Sequence, residues 1–380
     1  MSDEAEPTTT ASRAAEQGGE RTSPTGPGDS PPEELAEREE VLAEIDAEHL
    51  PHQLPRNNWR STVLRLVISI AFLGLLFWRL PDVSLGDVVP ELTAATAAWV
   101  AIAIAVHVVA YVLQTVRWDV VSNTLGVHLP FRRMFSHLLA GEFVSNALPT
   151  SFGGDVVRVV RQGQDTGDYA DAFAATALER LTGWLVLPLL STMAMFAQPE
   201  FFSLGTATVA AIAINVVTVV ALVAILWTAG HERGGGRLLG AAGGWRRYLA
   251  AVHLGIIAFR HHPRRVLWVL AAGLGFQLLQ CVSVYAAAKA LQLDEVTLLA
   301  AMAFFPPTAI IQNVPLALGG LGVREAAFVL FFGALGVSDA SAIALGLLIY
   351  LVFIAASLAG APSFAFGRRR REAAAAAGET

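Results

Sequence analysis

The sequence predicts an all-α fold: a polytopic membrane helical bundle of about eight spans plus a re-entrant segment, with two repeated broken-helix elements. Three observations lead there. Hydrophobic residues make up 54% and charged residues only 15% of 380 residues, with a mean hydropathy of +0.53, a balance outside the range of soluble domains. Beyond Arg60 the apolar residues gather into runs of about the 17–25 residues that cross a hydrocarbon core. One ten-residue pattern built around Pro, a Gly pair and Arg occurs twice.

The chain divides into an acidic tail (1–58), a membrane body (59–366) and a short tail that is first basic, then Ala-rich (367–380). Residues 1–58 hold fourteen Asp/Glu against four Arg, a net of −10, so the formal charge of −6 leaves the remainder at +4. The tail is rich in Glu, Pro, Ser, Thr and Gly and poor in aromatics, so it cannot bury enough apolar surface to offset chain entropy. Within it, 32–50 carries a short helical pattern. No apolar run of signal-peptide type precedes it. A tail of this charge would recruit a cytoplasmic partner.

The expected spans are 62–79, 95–116, 172–197, 204–228, 266–290, 296–314, 323–337 and 340–361. The piece 134–149 is short and polar on one side; eight full spans require it to be re-entrant, and if it spans instead, one later segment must fail to cross. Arg and Lys are retained on the cytoplasmic side of a bacterial inner membrane. Arg56, Arg60 and Arg65 precede the first span; Arg117, Arg132 and Arg133 follow the second; seven Arg lie between 230 and 265; Arg368 to Arg371 follow the last. The intervening loops near Gln198, Gln292 and Ser338 carry no Arg or Lys. Both termini are therefore expected in the cytoplasm. Within 230–265, Trp245, Tyr248, Leu249, Val252, Ile256 and Phe259 recur at helical spacing, as an interfacial amphipathic helix or as an elbow helix packed on the bundle.

The repeated pattern is PxxxGGxxxR. It runs from Pro149 through Gly153 and Gly154 to Arg158, and again from Pro315 through Gly319 and Gly320 to Arg324. Glu142 and Thr308 stand seven residues before the respective Pro, and Asn146 and Gln312 three before it. Asn313 neighbours the second polar position. A Pro removes an amide donor and breaks the helix; a Gly pair permits positive φ and close approach of a helix or ligand, leaving amides unpaired. Broken helices of this kind build midplane sites in transporters, where helix N-termini attract anions. An Arg one turn further on adds a charge-assisted contact suited to phosphate. Glu142, Ser145 and Asn146 share a helix face with Pro149.

Two charged couplets, Glu179-Arg180 and Arg324-Glu325, stand in apolar surroundings. A charge at membrane depth costs about 2.5–3.5 kcal/mol on insertion scales, so each should face the interior and pair. Neighbours on a helix point about 100° apart, so cross-helix partners are expected for both couplets. His107, Asn215, Gln277, Gln280 and Lys289 read as satisfied structural residues.

The stretches NALPTSFGGDVVRVVR, ALERLTGW and NVPLALGGLGVREAAF resemble the flippase-like transmembrane family that includes the membrane region of lysylphosphatidylglycerol synthases, together with UPF0104-type membrane proteins. The resemblance covers roughly 60–365. It implies movement or presentation of lipids or lipid-linked sugars, with functional positions at Gly153, Gly154, Asp155, Arg158, Glu179, Arg180, Gly319, Gly320, Gly322, Arg324 and Glu325. Only fourteen residues follow Phe366, too few for the aminoacyl-transferase domain of the fused synthases, so lipid aminoacylation is not expected.

The expectation is a noncatalytic integral membrane protein that translocates or presents an anionic lipid or lipid-linked cargo through a polar cavity. The alternative is a noncatalytic subunit or scaffold of a lipid- or glycan-modifying system. No HExxH is present, and the FGGD at Asp155 lacks the first Gly of a GxGD protease pattern. With one cysteine, Cys281, intramolecular disulfides, Cys-based zinc sites and iron–sulfur clusters are excluded. No metal or cofactor is expected, and no basic patch points to nucleic acid.

Overall fold

The structure, a computed structural model, describes residues 93–147, 153–229, 246–313, 320 and 322–363. Every regular element among them is helical, and the protein is a helical membrane bundle. The expected 62–79 span, the 32–50 helix, both terminal tails, Pro149, Pro315, Gly319 and the segment 230–245 lie outside the described residues.

Five helices are long and apolar enough to cross a bilayer: α1 (Ala94–Thr124), α4 (Tyr169–Ala197), α5 (Thr206–Ala229), α7 (Pro263–Ala290) and α10 (Asp339–Ser357). Between them stand four shorter helices and an elbow. Helices α2 (Phe131–Ala147) and α3 (Gly153–Thr166) pack on one another, as do α8 (Leu298–Gln312) and α9 (Val323–Gly333). The elbow is α6 (Arg246–His261).

Local chemistry sets the ends. The hydroxyls of Thr93, Thr297 and Ser338 and the carboxylate of Asp168 accept the amides of Thr96, Ala300, Ser341 and Asp171, capping α1, α8, α10 and α4. Pro263 opens α7 at a position where its missing amide costs nothing. Pro307 lies inside α8, so the carbonyl of Ala303 loses its amide four residues on. The Ser191 hydroxyl of α4 donates to that carbonyl at 2.6 Å, and Asn215 of α5 donates to Ser191 at 2.9 Å. A neighbouring helix thus repairs the broken ladder where lipid offers no donor.

Helices α1 and α7 run antiparallel at close range: Ser283 donates to the Ala103 carbonyl at one end, while Gly275 meets Leu113 and Gly273 meets Arg117 further along. Two apolar cores result. One joins α4, α7, α8, α9 and α10 around Phe304, Phe305, Phe328, Phe331 and Phe332; the other joins α1, α2, α4 and α6 around Tyr111, Trp118, Met134 and Leu138. Apolar side chains such as Val209, Val217, Leu267 and Trp268 point outward, where hydrocarbon is the solvent.

Three expectations change. Arg117 is not a loop residue: α1 runs eight residues beyond the expected end at 116, because its late charged and polar groups turn inward, and Arg117 is 4% exposed. The expected span 323–337 is an 11-residue helix, about 16 Å long, against a hydrocarbon core of roughly 30 Å. The helical part of 230–265 is a packed elbow, with Val252, Ile256 and Phe259 set into the second core.

Candidate functional site

A polar cavity of about 230 Å³ opens between α1, α2, α3, α4, α7, α8, α9 and α10. It collects side chains from both copies of the repeated element. Asp155 and Arg158 come from α3, Glu142 and Asn146 from α2, Gln312 and Asn313 from the end of α8, Glu179 and Arg180 from α4, and Arg324 from α9.

The charges form one linked chain and one separate pair. Glu179, 1% exposed, accepts from Arg117 with one carboxylate oxygen and from Arg158 with the other, the latter at 3.1 Å. Arg158 also lies 3.5 Å from Asp155 one turn back on α3, and Asp155 in turn binds Arg180. Glu179 and Arg180 therefore find cross-helix partners, as the helical angle requires. Aromatic faces cover the guanidiniums: Arg158 sits 4.3 Å from the Trp118 ring centre and Arg117 5.4 Å from that of Phe276. When desolvated, such contacts contribute about 2 kcal/mol each.

The other couplet departs from expectation. Arg324 binds its own neighbour, Glu325, at 2.8 and 3.2 Å, and stacks 4.9 Å from the Tyr350 ring centre. Both residues stand in the first turn of α9, where Glu325 folds back to accept the Gly322 amide at 2.5 Å, and the long Arg side chain swings round to the same carboxylate. This is the backward half of a capping box. The Gly322 amide, two residues past the Gly pair, is thus taken by Glu325 instead of standing open.

The glycines act in packing and turning. A Cβ on Gly154 would collide with the Gly141 carbonyl and the Ser145 hydroxyl, so Gly154 is where α3 touches α2. Gly320 and Gly322 hold φ of 75° and 82°, a region other residues enter at a cost. Gly153, Gly154, Gly320, Gly322 and Glu325 do not line the cavity, whose walls are the polar side chains these residues hold in place.

Several lining residues escaped sequence reasoning. Arg117 read as a loop marker; His107, Gln277 and Gln280 read as structural; Tyr111, Gln114 and Tyr350 drew no attention. Gly183 was passed over too, although a Cβ there would lie 3.0 Å from an Arg117 nitrogen, so its absence makes room for the guanidinium. The usable signal was helical register: His107, Tyr111 and Gln114 share a face of α1 with one another, and Gln277 and Gln280 a face of α7. Several groups at this site have donors or acceptors to spare. Arg117 Nε and Nη1, Arg158 Nε and Nη2, and the amide oxygens of Gln114, Gln277 and Gln312 are buried without a protein partner among the described residues. Unsatisfied guanidinium N–H groups in a confined polar space are suited to an anionic oxygen ligand. Among the described residues no group of His, Cys, Asp and Glu is arranged to hold a metal.

Comparison with known proteins agrees with this architecture. A UPF0104 membrane protein of Methanothermobacter thermautotrophicus is 25% identical over 276 residues, which cover 67% of this chain and 80% of that protein. No solved structure matches. The family model described as the lysylphosphatidylglycerol synthase TM region matches residues 62–360, and this multi-pass membrane chain belongs to that family.

Proposed function

We propose that the cavity receives the phosphate-bearing headgroup of an anionic lipid or lipid-linked molecule, and that the protein moves or presents this cargo across the cell membrane without altering it covalently. The observation that carries the reading is the meeting of Arg158 and Arg324, one from each copy of the repeated element, on the wall of a single buried cavity. The spare N–H groups of Arg117 and Arg158 supply a place for phosphate oxygens, and the family is described by the membrane region of a synthase named for a phospholipid.

The arrangement supports a specific topology. Helices α2 and α3 measure about 25 and 21 Å, and α8 and α9 about 22 and 16 Å, so each pair fits a hairpin that enters and leaves on one face. The first hairpin starts beside Arg132 and Arg133; the second stands between loops free of Arg. With the positive-inside rule, they enter from opposite faces, and Asn146, Asp155, Gln312 and Arg324 near their inner ends line one cavity. The five long helices and the span expected from the sequence at 62–79 then bring both termini to the cytoplasm, and the two elements form an inverted pair around a central site.

The test is reconstitution of the full chain into liposomes with a fluorescent phosphatidylglycerol, whose outer-leaflet label is quenched by dithionite. The wild type should speed leaflet exchange, with Arg158→Ala and Arg324→Ala slower by at least tenfold. Exchange no faster than in protein-free liposomes, together with the absence of co-purified anionic lipid in native mass spectrometry, would refute it.

A further inference from the structure

We infer that Glu142 is a proton-binding site coupled to the anion site, so that one proton and one phosphate-bearing cargo occupy the cavity together. The inference rests on the proposed reading of the cavity and adds its driving ion.

Four carboxylates belong to this site, and three have a guanidinium partner: Asp155 with Arg180 and Arg158, Glu179 with Arg117 and Arg158, and Glu325 with Arg324. Glu142 has none among the described residues. Its only side-chain hydrogen bond there comes from the neutral amide of Gln114, at 3.3 Å. It lies deep in the bundle yet open to the cavity. The same cavity is lined by His107, Tyr111 and Arg117 of α1, Asp155 and Arg158 of α3, Glu179 and Arg180 of α4, Arg324 of α9 and Tyr350 of α10. The hydroxyl of Tyr111 is buried with no hydrogen-bond partner among the described residues, available to either protonation state of the carboxyl.

Charge balance gives the stoichiometry. Arg117, Arg158, Arg180 and Arg324 oppose Asp155, Glu179, Glu325 and Glu142, so the site is neutral with Glu142 ionised and carries one positive charge with Glu142 protonated. A phosphodiester carries one negative charge. Anion plus proton therefore leave the occupied site neutral, which minimises the penalty of net charge in a low-dielectric interior. Phosphate held by Arg117 and Arg158 also places negative charge near Glu142 and favours its protonated form. By linkage, protonation must strengthen anion binding by the same factor. The proton adds to Glu142 when cargo enters and leaves from it when cargo departs; no covalent bond changes otherwise.

The experiment uses the purified full chain in detergent and a short-chain phosphatidylglycerol as probe, with glycerol phosphate as a second arm that separates a lipid headgroup from a free phosphate. Calorimetry in buffers of different ionisation enthalpy reads the protons taken up per probe bound. The wild type should take up close to one, and its affinity should fall by up to about tenfold per pH unit on the alkaline side of the transition. Glu142→Gln should bind with pH-independent affinity and no uptake, while Glu142→Asp and His107→Asn should retain uptake. Uptake that persists in Glu142→Gln, or disappears in His107→Asn alone, would overturn the assignment, as would wild-type binding without uptake. If neither probe binds the wild type, the anion-site reading fails and this inference with it.

Discussion

Glu179 holds two guanidiniums at once, so Glu179→Gln is the most informative single change. The amide keeps the shape but removes the charge that compensates Arg117 and Arg158, which are 4% and 2% exposed. Breaking a buried pair while its partner stays behind costs about 3–5 kcal/mol. At roughly 1.3 °C per kcal/mol for a chain of 380 residues, the melting temperature of the detergent-purified protein should fall by roughly 4–6 °C. Some of that loss should return in Glu179→Gln/Arg117→Met, because one of the two stranded charges is gone and Phe276 and Gly183 already border the site with room for an apolar stem. Thermal unfolding of the three proteins, followed by intrinsic fluorescence, reads both effects. A single-variant shift below about 3 °C, or a double variant no more stable than the single, would show that Glu179 does not carry the charge balance of the cavity.

Other expectations are simpler. Gly154→Ala drives a methyl into the Gly141 backbone, which cannot retreat without moving α2 from α3, so it should destabilise the protein by about 1–3 kcal/mol in thermal unfolding. Ser191→Ala strips the Ala303 carbonyl of its substitute donor and should cost about 1–3 kcal/mol in the same assay, with Ser191→Thr restoring part of it. Cys281 is fully buried, so the native protein should resist maleimide until denatured. On that background Glu200→Cys should react with an impermeant maleimide in intact cells and Arg132→Cys only after permeabilisation; the reverse pattern would invert the proposed topology.

Much of this architecture is legible in one dimension. The Pro/Gly-Gly/Arg repeat led to Arg158 and Arg324, and the rule that intramembrane charges must pair led to cross-helix partners for Glu179 and Arg180. Arg117 was misplaced because hydropathy reports where an apolar run stops, whereas a helix continues as long as its polar face has somewhere to turn. The Arg324-Glu325 couplet defeated the angular argument because both side chains sit in a first helical turn, where a carboxylate folded back over the helix end comes within reach of its neighbour.

By itself, the sequence determined that this chain is a helical membrane protein, where α4, α5, α7 and α10 fall to within a few residues, and that Glu179, Arg324 and Glu325 had to be buried. Those properties follow from local composition, because hydrocarbon tolerates only backbones that satisfy their own hydrogen bonds and only charges that face inward. The tertiary structure alone decided the rest. It brought α1 and α7 into the cavity, shared Glu179 between Arg117 and Arg158, closed the Gly322 amide with Glu325, and left Glu142 as the cavity carboxylate with no guanidinium partner among the described residues. Pairing of buried charges is settled by which helices pack together, and that depends on contacts between residues as far apart in the chain as Arg117 and Glu179.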